Sequence, residues 1–323
     1  MNPTEYLQAD EIGLQRAAEL LAQGLCVAFP TETVYGLGAD ATSPKAVADI
    51  YSAKQRPSFN PLIAHLPSAE MAFEQGVFSE DAKALATAFW PGPLTLVVPI
   101  SATSTVCDLA RAGLTSVGLR VPDHPVAKAI LEKVALPIAA PSANSSGHVS
   151  ATSAPHVLED LNGRIAAVVD GGSTNVGVES TIIDCTGTEP GLLRPGGITR
   201  EQIEAVLGKK LAHRPPVSAK PMAPGMLTSH YAPLTGVRLN ATSFGPREAA
   251  LLFGKDFQAP DALISFNLSE SGDLAEAAGN LFSALRTLDE AGADCIAISP
   301  IPNSGLGEAI NDRLSRAAAD KTA

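Results

Sequence analysis

The sequence has few cysteines, and the four it has are far apart. Cys26, Cys107, Cys185 and Cys295 form no CxxC pair. This spacing argues against a zinc site and against a disulfide framework. It fits a reducing cytosol, so we expect a cytoplasmic protein whose cysteines are buried as small apolar residues.

The sequence also lacks long apolar runs. No stretch approaches the roughly 20 uninterrupted apolar residues that a membrane span requires. The first residues, "MNPTEYLQADE", have no basic segment followed by an apolar one and so do not predict a secretory signal. With 323 residues, of which 45% are apolar and 18% charged, the composition is typical of a globular protein with a large core. The length favours about two domains.

Basic residues are outnumbered, because 23 Lys and Arg face 34 Asp and Glu. The net charge of −11 argues against a broad electrostatic grip on a nucleic-acid backbone. The charge is uneven along the chain. Residues 1–205 carry 12 basic and 22 acidic side chains and residues 237–323 carry 7 and 12, but residues 206–236 carry four basic and no acidic ones.

The basic stretch also contains "HRPPVSAKPMAPGMLTSHYAP", which holds five prolines. Proline at this density favours an extended connector. We therefore predict a first domain over 1–205, a linker over 206–236 and a second domain over 237–323. Met226, His230 and Tyr231 would not be needed in a plain spacer. They indicate that the linker contributes to a binding site, as lids and long ordered loops often do.

Apolar strand patterns and helical patterns alternate before the linker. Ser43 and Pro44 predict the start of one of these helices. The pattern predicts an α/β fold whose first domain is a mixed twisted sheet with helices. After the linker, "GVRLN", "DALISFN" and "DCIAISP" predict strands between helical segments, hence a small three-layer, Rossmann-like α/β domain without a GxGxxG fingerprint.

Several cations lie in unusual surroundings. In "KQRPSFNPLI", Lys54 and Arg56 alternate beside prolines, so on an extended segment they would share one face and form an anion site. A plain surface pair is equally compatible with the pattern. Arg120 lies inside the apolar run of "SVGLRVPDHP" and must meet either an acid of the protein or an anionic ligand. Arg194 precedes a Pro-Gly-Gly sequence.

Hydroxyl-rich loops follow several predicted strands. In "FPTETVYGLGADA", Gly36 and Gly38 are expected to let the backbone turn or approach a ligand closely. The alternative is a solvated edge strand. The loops "APSANSSGHVSAT" and "GGSTNVGVESTIID" offer hydroxyls and backbone N–H groups that suit phosphate or ribose. Walker A, GxSxG and HExxH motifs are missing from the sequence. The pattern therefore favours phosphate chemistry driven by positioning and charge neutralisation.

These segments, taken in order, resemble the YrdC-like family of threonylcarbamoyl-adenylate synthases, in its long form with a C-terminal domain. The resemblance rests on "PTETVYGLG", "KQRPSFNPL", "PGPLTLV", "VGLRVPDHP", "PSANSSG", "GVESTIID" and "LRPGG", and on the later "PGMLTSHYAP" and "GLGEAINDRLSRAA". It implies an enzyme, a nucleotidyltransferase that condenses L-threonine, bicarbonate and ATP into threonylcarbamoyl-AMP and pyrophosphate. Partner transferase proteins would then modify adenosine 37 of tRNA, and a weak direct tRNA contact stays open.

The resemblance also implies roles for individual residues. Lys54 and Arg56 would act as catalytic cations on the ATP phosphates and the carboxylated intermediate, together with Asn60. L-Threonine would be held by Thr33, His65, Arg120, Ala140 and Ser180, with Arg120 on its carboxylate. The nucleotide would meet Ser116, Ser142, Ser150 and Arg194, with Tyr231 closing over it. Mg²⁺ would accompany ATP, and no protein side chain is assigned to it.

Two other functions stay open. YrdC-like modules also occur in carbamoyltransferases that use carbamoyl phosphate, although the accompanying acylphosphatase and zinc-finger segments are not visible here. A non-catalytic RNA-binding regulatory module is the other alternative. The acidic balance argues against it, and so does the lack of aromatic residues interleaved with basic ones.

Overall fold

The structure is a computed structural model that describes residues 3–57, 59–212 and 231–319. Its strands are β1 (Glu5–Gln8), β2 (Val27–Pro30), β3 (Tyr35–Asp40), β4 (Ile63–His65), β5 (Leu94–Pro99), β6 (Ser116–Arg120), β7 (Ile138–Ala139), β8 (Ala167–Asp170), β9 (Thr181–Asp184), β10 (Gly191–Arg194), β11 (Gly236–Arg238), β12 (Glu248–Leu252), β13 (Ile264–Asn267) and β14 (Cys295–Ile298). Its helices are α1 (Glu11–Ala22), α2 (Pro44–Lys54), α3 (Ala69–Gln75), α4 (Glu80–Phe89), α5 (Pro125–Val134), α6 (Ala154–Leu161), α7 (Arg200–Leu207), α8 (Leu274–Asp289) and α9 (Leu306–Ala317).

The larger sheet contains ten strands in the order β1-β8-β2-β3-β7-β4-β6-β5-β9-β10. The sheet contains both parallel pairs, such as β4–β6, and antiparallel pairs, such as β5–β6. The predicted α/β class with a mixed sheet is confirmed. Apolar clusters lie on both faces, one around Leu37, Ile50 and Leu96 and the other around Phe29 and Ile130. The strands are therefore buried on both sides, which explains their nearly continuous apolar sequences.

Helix starts in this part follow the sequence signals. The Ser43 side chain accepts a hydrogen bond from the Ala46 amide, and Pro44 occupies the first helical turn, as predicted. Thr199 and Gln202 form a reciprocal capping box at α7. These caps fix where α2 and α7 begin, and both helices lie next to segments that carry arginines of the candidate site.

The second sheet has four parallel strands in the order β11-β14-β12-β13. Helix α8 packs on β12 and β13 and also contacts α9. The core of this part takes in Val34, Val149 and Val178 from the first part of the chain. A Cβ on Gly177 would lie 2.2 Å from the Ala278 carbonyl oxygen, so the two parts approach each other at backbone distance.

Four expectations differ from the structure. Gly36 and Gly38 lie within β3 rather than in a turn, and Gly38 leaves room for the Phe29 ring, because a Cβ there would lie 2.5 Å from that ring. Lys54 ends helix α2 and is not extended. Strands β1, β10 and β12 were not predicted, because all three are short and only weakly patterned. Cys107 and Cys295 are only partly buried, whereas Cys26 and Cys185 are buried as expected.

Most of the predicted linker, including Met226 and His230, lies outside the described residues. The predicted domain boundaries therefore stay predictions. Among the residues that the structure describes, no helix is both long enough and apolar enough to span a bilayer.

Candidate active site

Segments far apart in the chain converge on one largely enclosed cavity. It is lined by Val34, Arg56, Ile63, His65, Arg120, Ala140, Pro141, Ser142, Glu179, Ser180, Arg194 and Tyr231. Eight of these twelve were predicted as site residues from the sequence. Four were not: Val34, Ile63, Pro141 and Glu179. The three arginines are each nine-tenths or more buried, so the lining is rich in cations that water scarcely reaches.

Arg56 reaches the cavity because helix α2 ends abruptly before it. Gln55 adopts a left-handed conformation with φ of 53°, which reverses the chain direction. The Arg56 guanidinium then donates to the carbonyl oxygen of Pro61 at 3.2 Å. Burial lowers the pKa of Arg56 to about 10, and the group is still a cation at neutral pH.

Lys54 does not line the cavity. Its ammonium donates to the carbonyl oxygens of Ser142, at 2.5 Å, and of Asn144. Its side chain is fully buried, and burial lowers its pKa, with the nearby Arg56 charge adding to the effect. Lys54 therefore ties helix α2 to the segment that carries Ser142 into the cavity. Its predicted catalytic role has no direct contact with the cavity to support it.

Arg120 and His65 are brought side by side because strands β4 and β6 pair in parallel with these two residues in register. The Arg120 guanidinium donates to the Thr33 hydroxyl at 3.0 Å and lies 2.7 Å from a Glu32 carboxylate oxygen. Its Nε has no hydrogen-bond partner among the described residues. Arg120 thus has the acidic protein partner that the sequence allowed, and it also faces the cavity.

His65 is a neutral imidazole in this environment. Its Nδ1 lies 3.2 Å from the Ile63 carbonyl oxygen. Burial lowers its pKa to about 3, and the Arg120 charge adds to the effect. A group with this pKa is a weak base at neutral pH, so the site favours His65 as a residue that orients a ligand by hydrogen bonding.

Arg194 and Ser180 form a second cationic corner. The Arg194 guanidinium donates to the carbonyl oxygen of Ser180 at 2.9 Å and to its hydroxyl at 3.2 Å. The Ser180 hydroxyl also lies 2.8 Å from that of Thr95 on β5. Strand β9 begins one residue after Ser180 and pairs with β10, which ends at Arg194, so the sheet itself positions both groups.

Several predicted residues lie just outside the lining. Asn60 is almost fully buried, and neither atom of its side-chain amide has a hydrogen-bond partner among the described residues. A buried amide without partners costs stability, which favours a ligand as the missing partner. Ser116 lines an adjoining narrow groove that shares Ile63 with the cavity. The Ser150 hydroxyl donates to Glu179 at 2.5 Å.

Sequence reasoning missed the set of residues behind Glu179. Arg313, on helix α9, donates to the Glu179 carboxylate at 2.9 Å and lies over the Tyr231 ring at 5.3 Å from its centre. The Tyr231 ring in turn stacks on Phe282 of α8, with 5.7 Å between ring centres. The α9 pattern gave no signal for this role, because Glu179 is 134 positions away.

A larger cleft, of about 630 Å³, lies between Leu193, Pro195 and the end of β14. It is a weaker candidate for anion chemistry. The cation on its wall, Arg200, is already paired with Glu308 at 2.5 Å, and Asp312 adds a further negative charge.

Comparison with known families matches each part of the chain to a family model. Residues 19–196 match a family model described as "Telomere recombination", which covers the Sua5, YciO and YrdC proteins. Residues 198–319 match a model described as "Threonylcarbamoyl-AMP synthase, C-terminal domain".

Similar proteins extend over nearly the whole chain. A threonylcarbamoyl-AMP synthase of Bacillus subtilis is 42% identical, over 98% of this chain and 95% of its own length. One from Pyrococcus abyssi is 43% identical, over 95% and 94%. The crystal structure of Pyrococcus abyssi Sua5 complexed with L-threonine superposes with a TM-score of 0.88 at 40% identity, and covers 98% of this chain and 97% of its own.

Proposed function

The chain belongs to the threonylcarbamoyl-AMP synthase family, and we propose that it condenses L-threonine, bicarbonate and ATP into threonylcarbamoyl-AMP and pyrophosphate. The observation that carries this proposal is the convergence of Arg56, Arg120 and Arg194 on one cavity. Both chemical steps bring anions together. Buried guanidinium groups reduce the repulsion between such anions and stabilise the charge that develops on a phosphoryl group in the transition state.

Threonine fits the corner around Arg120. The guanidinium there suits a carboxylate, because arginine presents its donors in a planar fork. Thr33 and the neutral His65 lie beside Arg120 and supply hydrogen-bonding groups, and we assign Ala140 and Ser180, which line the same cavity, to threonine as well. The similar Pyrococcus abyssi structure is a complex with L-threonine, which supports threonine as a ligand of this chain.

We assign ATP to the remainder of the cavity and the adjoining groove. Arg56 and Arg194 suit the phosphates, and the partnerless amide of Asn60 suits a phosphate or sugar oxygen. Ser142 and Tyr231 line the cavity, and Ser116 lines the groove. Ser150 reaches the cavity only through Glu179, so it is the least direct of the proposed ATP contacts.

In the first step, the threonine amine attacks the carbon of bicarbonate, and water leaves to give a carbamate. In the second step, a carbamate oxygen attacks the α-phosphorus of ATP, and the bond to pyrophosphate breaks. The residues of the cavity bind and orient the reactants and exclude water, which matters because free carbamates decompose in water. Deletion of residues 215–231 tests whether the linker takes part in this exclusion; within that stretch the structure describes Tyr231.

Mg²⁺ is proposed to arrive with ATP. The described residues contain no group of three His, Cys, Asp or Glu side chains that could hold a metal ion. Mg²⁺ commonly binds through substrate phosphates and water with few protein ligands, so a dedicated protein cage is not required. We assign no protein ligand to the ion.

The product would be passed to transferase proteins that modify tRNA, and we expect the enzyme to act in the cytoplasm. The test is release of pyrophosphate from ATP by the purified full chain, measured with each substrate omitted in turn. Release that needs both threonine and bicarbonate is expected. Turnover that depends on carbamoyl phosphate would favour the carbamoyltransferase function. Salt-sensitive RNA binding without turnover would favour the regulatory one.

A further inference from the structure

Helix α9 of the second domain places one arginine directly behind the cavity. Arg313 has no exposed side-chain surface. Its Nε donates to the Glu179 carboxylate at 2.9 Å, and its Nη1 donates to the Pro195 carbonyl oxygen at 2.7 Å and to Asp312 at 2.9 Å. Two of these three contacts are with residues from the first part of the chain. Arg313 is thus a fully buried cation on helix α9 that bonds to the part of the chain that carries the cavity, and such buried cations are rare.

Glu179 is the carboxylate that lines the cavity. One of its oxygens accepts from the Ser150 hydroxyl at 2.5 Å and the other accepts from Arg313. Burial alone would raise its pKa, but the neighbouring guanidinium groups of Arg313 and Arg194 hold the pKa below its usual value. Glu179 is therefore a carboxylate anion that Arg313 compensates from outside the cavity.

Arg313 contacts a second lining residue. Its guanidinium carbon lies 5.3 Å from the centre of the Tyr231 ring, within the range of a cation–π contact. The same ring stacks on Phe282, on helix α8. Two helices of the second domain thus hold Tyr231, and one of them also holds Glu179.

We propose that Arg313 is a positioning residue for the nucleotide subsite, supplied by helix α9, which keeps Glu179 compensated so that the ATP phosphates can enter. This inference rests on the proposed function. It gives the C-terminal domain a role in the reaction, because the domain contributes a charge that the cavity needs.

The charge balance of the cavity explains why ATP binding needs Arg313. Without Arg313, Glu179 would be a buried anion without its main compensating charge, in the cavity that we assign to phosphates. Breaking a buried ion pair on one side leaves an uncompensated charge, which is strongly unfavourable. The remaining carboxylate would repel ATP more than threonine, because ATP carries several negative charges and threonine carries no net charge.

The test compares R313Q with the unsubstituted enzyme in the pyrophosphate-release assay. We expect the KM for ATP to rise at least about tenfold, while the KM for threonine changes by less than about threefold. R200Q is the matched control, because Arg200 also pairs with a carboxylate far along the chain, that of Glu308, but it is about one-third exposed and does not line the cavity. Its KM for ATP should stay unchanged.

The double variant R313Q/E179Q separates compensation from a purely structural role. If Arg313 acts through Glu179, the double variant and E179Q should have the same KM for ATP within about twofold. A KM for ATP at least tenfold higher in the double variant would overturn the inference, and so would an unchanged KM in a folded R313Q. The double variant contains no unpaired buried carboxylate, so the comparison holds even if R313Q alone does not fold. Inactivity of the unsubstituted enzyme would count against the proposed function instead.

Discussion

Replacement of Arg120 by methionine tests the threonine subsite most directly. Arg120 and Glu32 are a buried pair, with exposures of 4% and 8% and a separation of 2.7 Å. Neither Glu32 side-chain oxygen has a hydrogen-bond partner of good geometry among the described residues. The nearby Arg120 charge is therefore the main compensation for that carboxylate. R120M removes this charge and also removes the group that we assign to the threonine carboxylate.

Two losses are expected. Leaving one member of a buried pair uncompensated costs about 3–5 kcal/mol of unfolding free energy. That is a large part of the roughly 5–15 kcal/mol that a protein has in total. Loss of a buried charge-assisted contact to the ligand costs at least about 2 kcal/mol of binding, which corresponds to a KM for threonine about thirtyfold higher. The KM for ATP should change much less.

The double variant R120M/E32Q distinguishes the two losses. It removes the uncompensated charge, so most of the unfolding free energy should return in urea titrations, while the high KM for threonine should persist in pyrophosphate release. R200M is the control for general loss of an ion-paired arginine that does not line the cavity. A double variant that regains both stability and the original KM for threonine would refute our reasoning, because Arg120 would then be only a structural partner of Glu32.

Two further substitutions probe the surroundings of the cavity. Because folded His65 gains a proton only near pH 3 and the unfolded chain near pH 6.5, its contribution to stability is fully present above about pH 6.5 and is lost on acidification. Between pH 7 and pH 5, the unfolding free energy of H65Q should therefore fall by about 2 kcal/mol less than that of the unsubstituted chain, as measured by urea unfolding with H148Q as control. Equal falls in H65Q and the unsubstituted chain would contradict a neutral His65. A Cβ on Gly196 would lie 2.3 Å from the Glu179 carbonyl oxygen and 2.4 Å from the Thr181 amide, so G196A should shift Ser180 and raise the KM for both substrates. G236A is the control, because a Cβ on Gly236 meets no atom within 4 Å, and its KM values should not change. Equal kinetics in the two variants would show that the backbone around Gly196 can move to accept a Cβ.

Part of the site could be predicted because an arginine is rarely buried without an anionic partner. Arg120 stands inside an apolar strand, so it had to meet an anion inside the protein or in a ligand, whereas the role of Arg194 followed from the resemblance to the family. The strand patterns were equally informative, because strands buried on both faces are nearly continuous apolar runs. Burial and charge therefore indicated that Arg120 meets an anion, although not which segments lie opposite it.

Other features depend on backbone geometry that the pattern does not reveal. Lys54 and Arg56 were expected on one face because their segment was taken as extended. A single left-handed residue, Gln55, ends the helix between them and sends the two cations in different directions. Lys54 goes to carbonyl oxygens and Arg56 goes to the cavity. The same sequence letters are compatible with either arrangement, and only the chain reversal decides between them.

Neutralising the carboxylate of a buried ion pair should have opposite consequences at the two carboxylates beside the cavity. Glu32 and Glu179 are both buried, and each lies against one arginine. Arg120 itself lines the cavity, so neutralising its partner cannot replace what the ligand loses. Arg313 does not line the cavity, so neutralising Glu179 removes the reason for which that arginine is needed. The two double variants should therefore behave differently: R120M/E32Q should stay weak for threonine, and R313Q/E179Q should match E179Q for ATP.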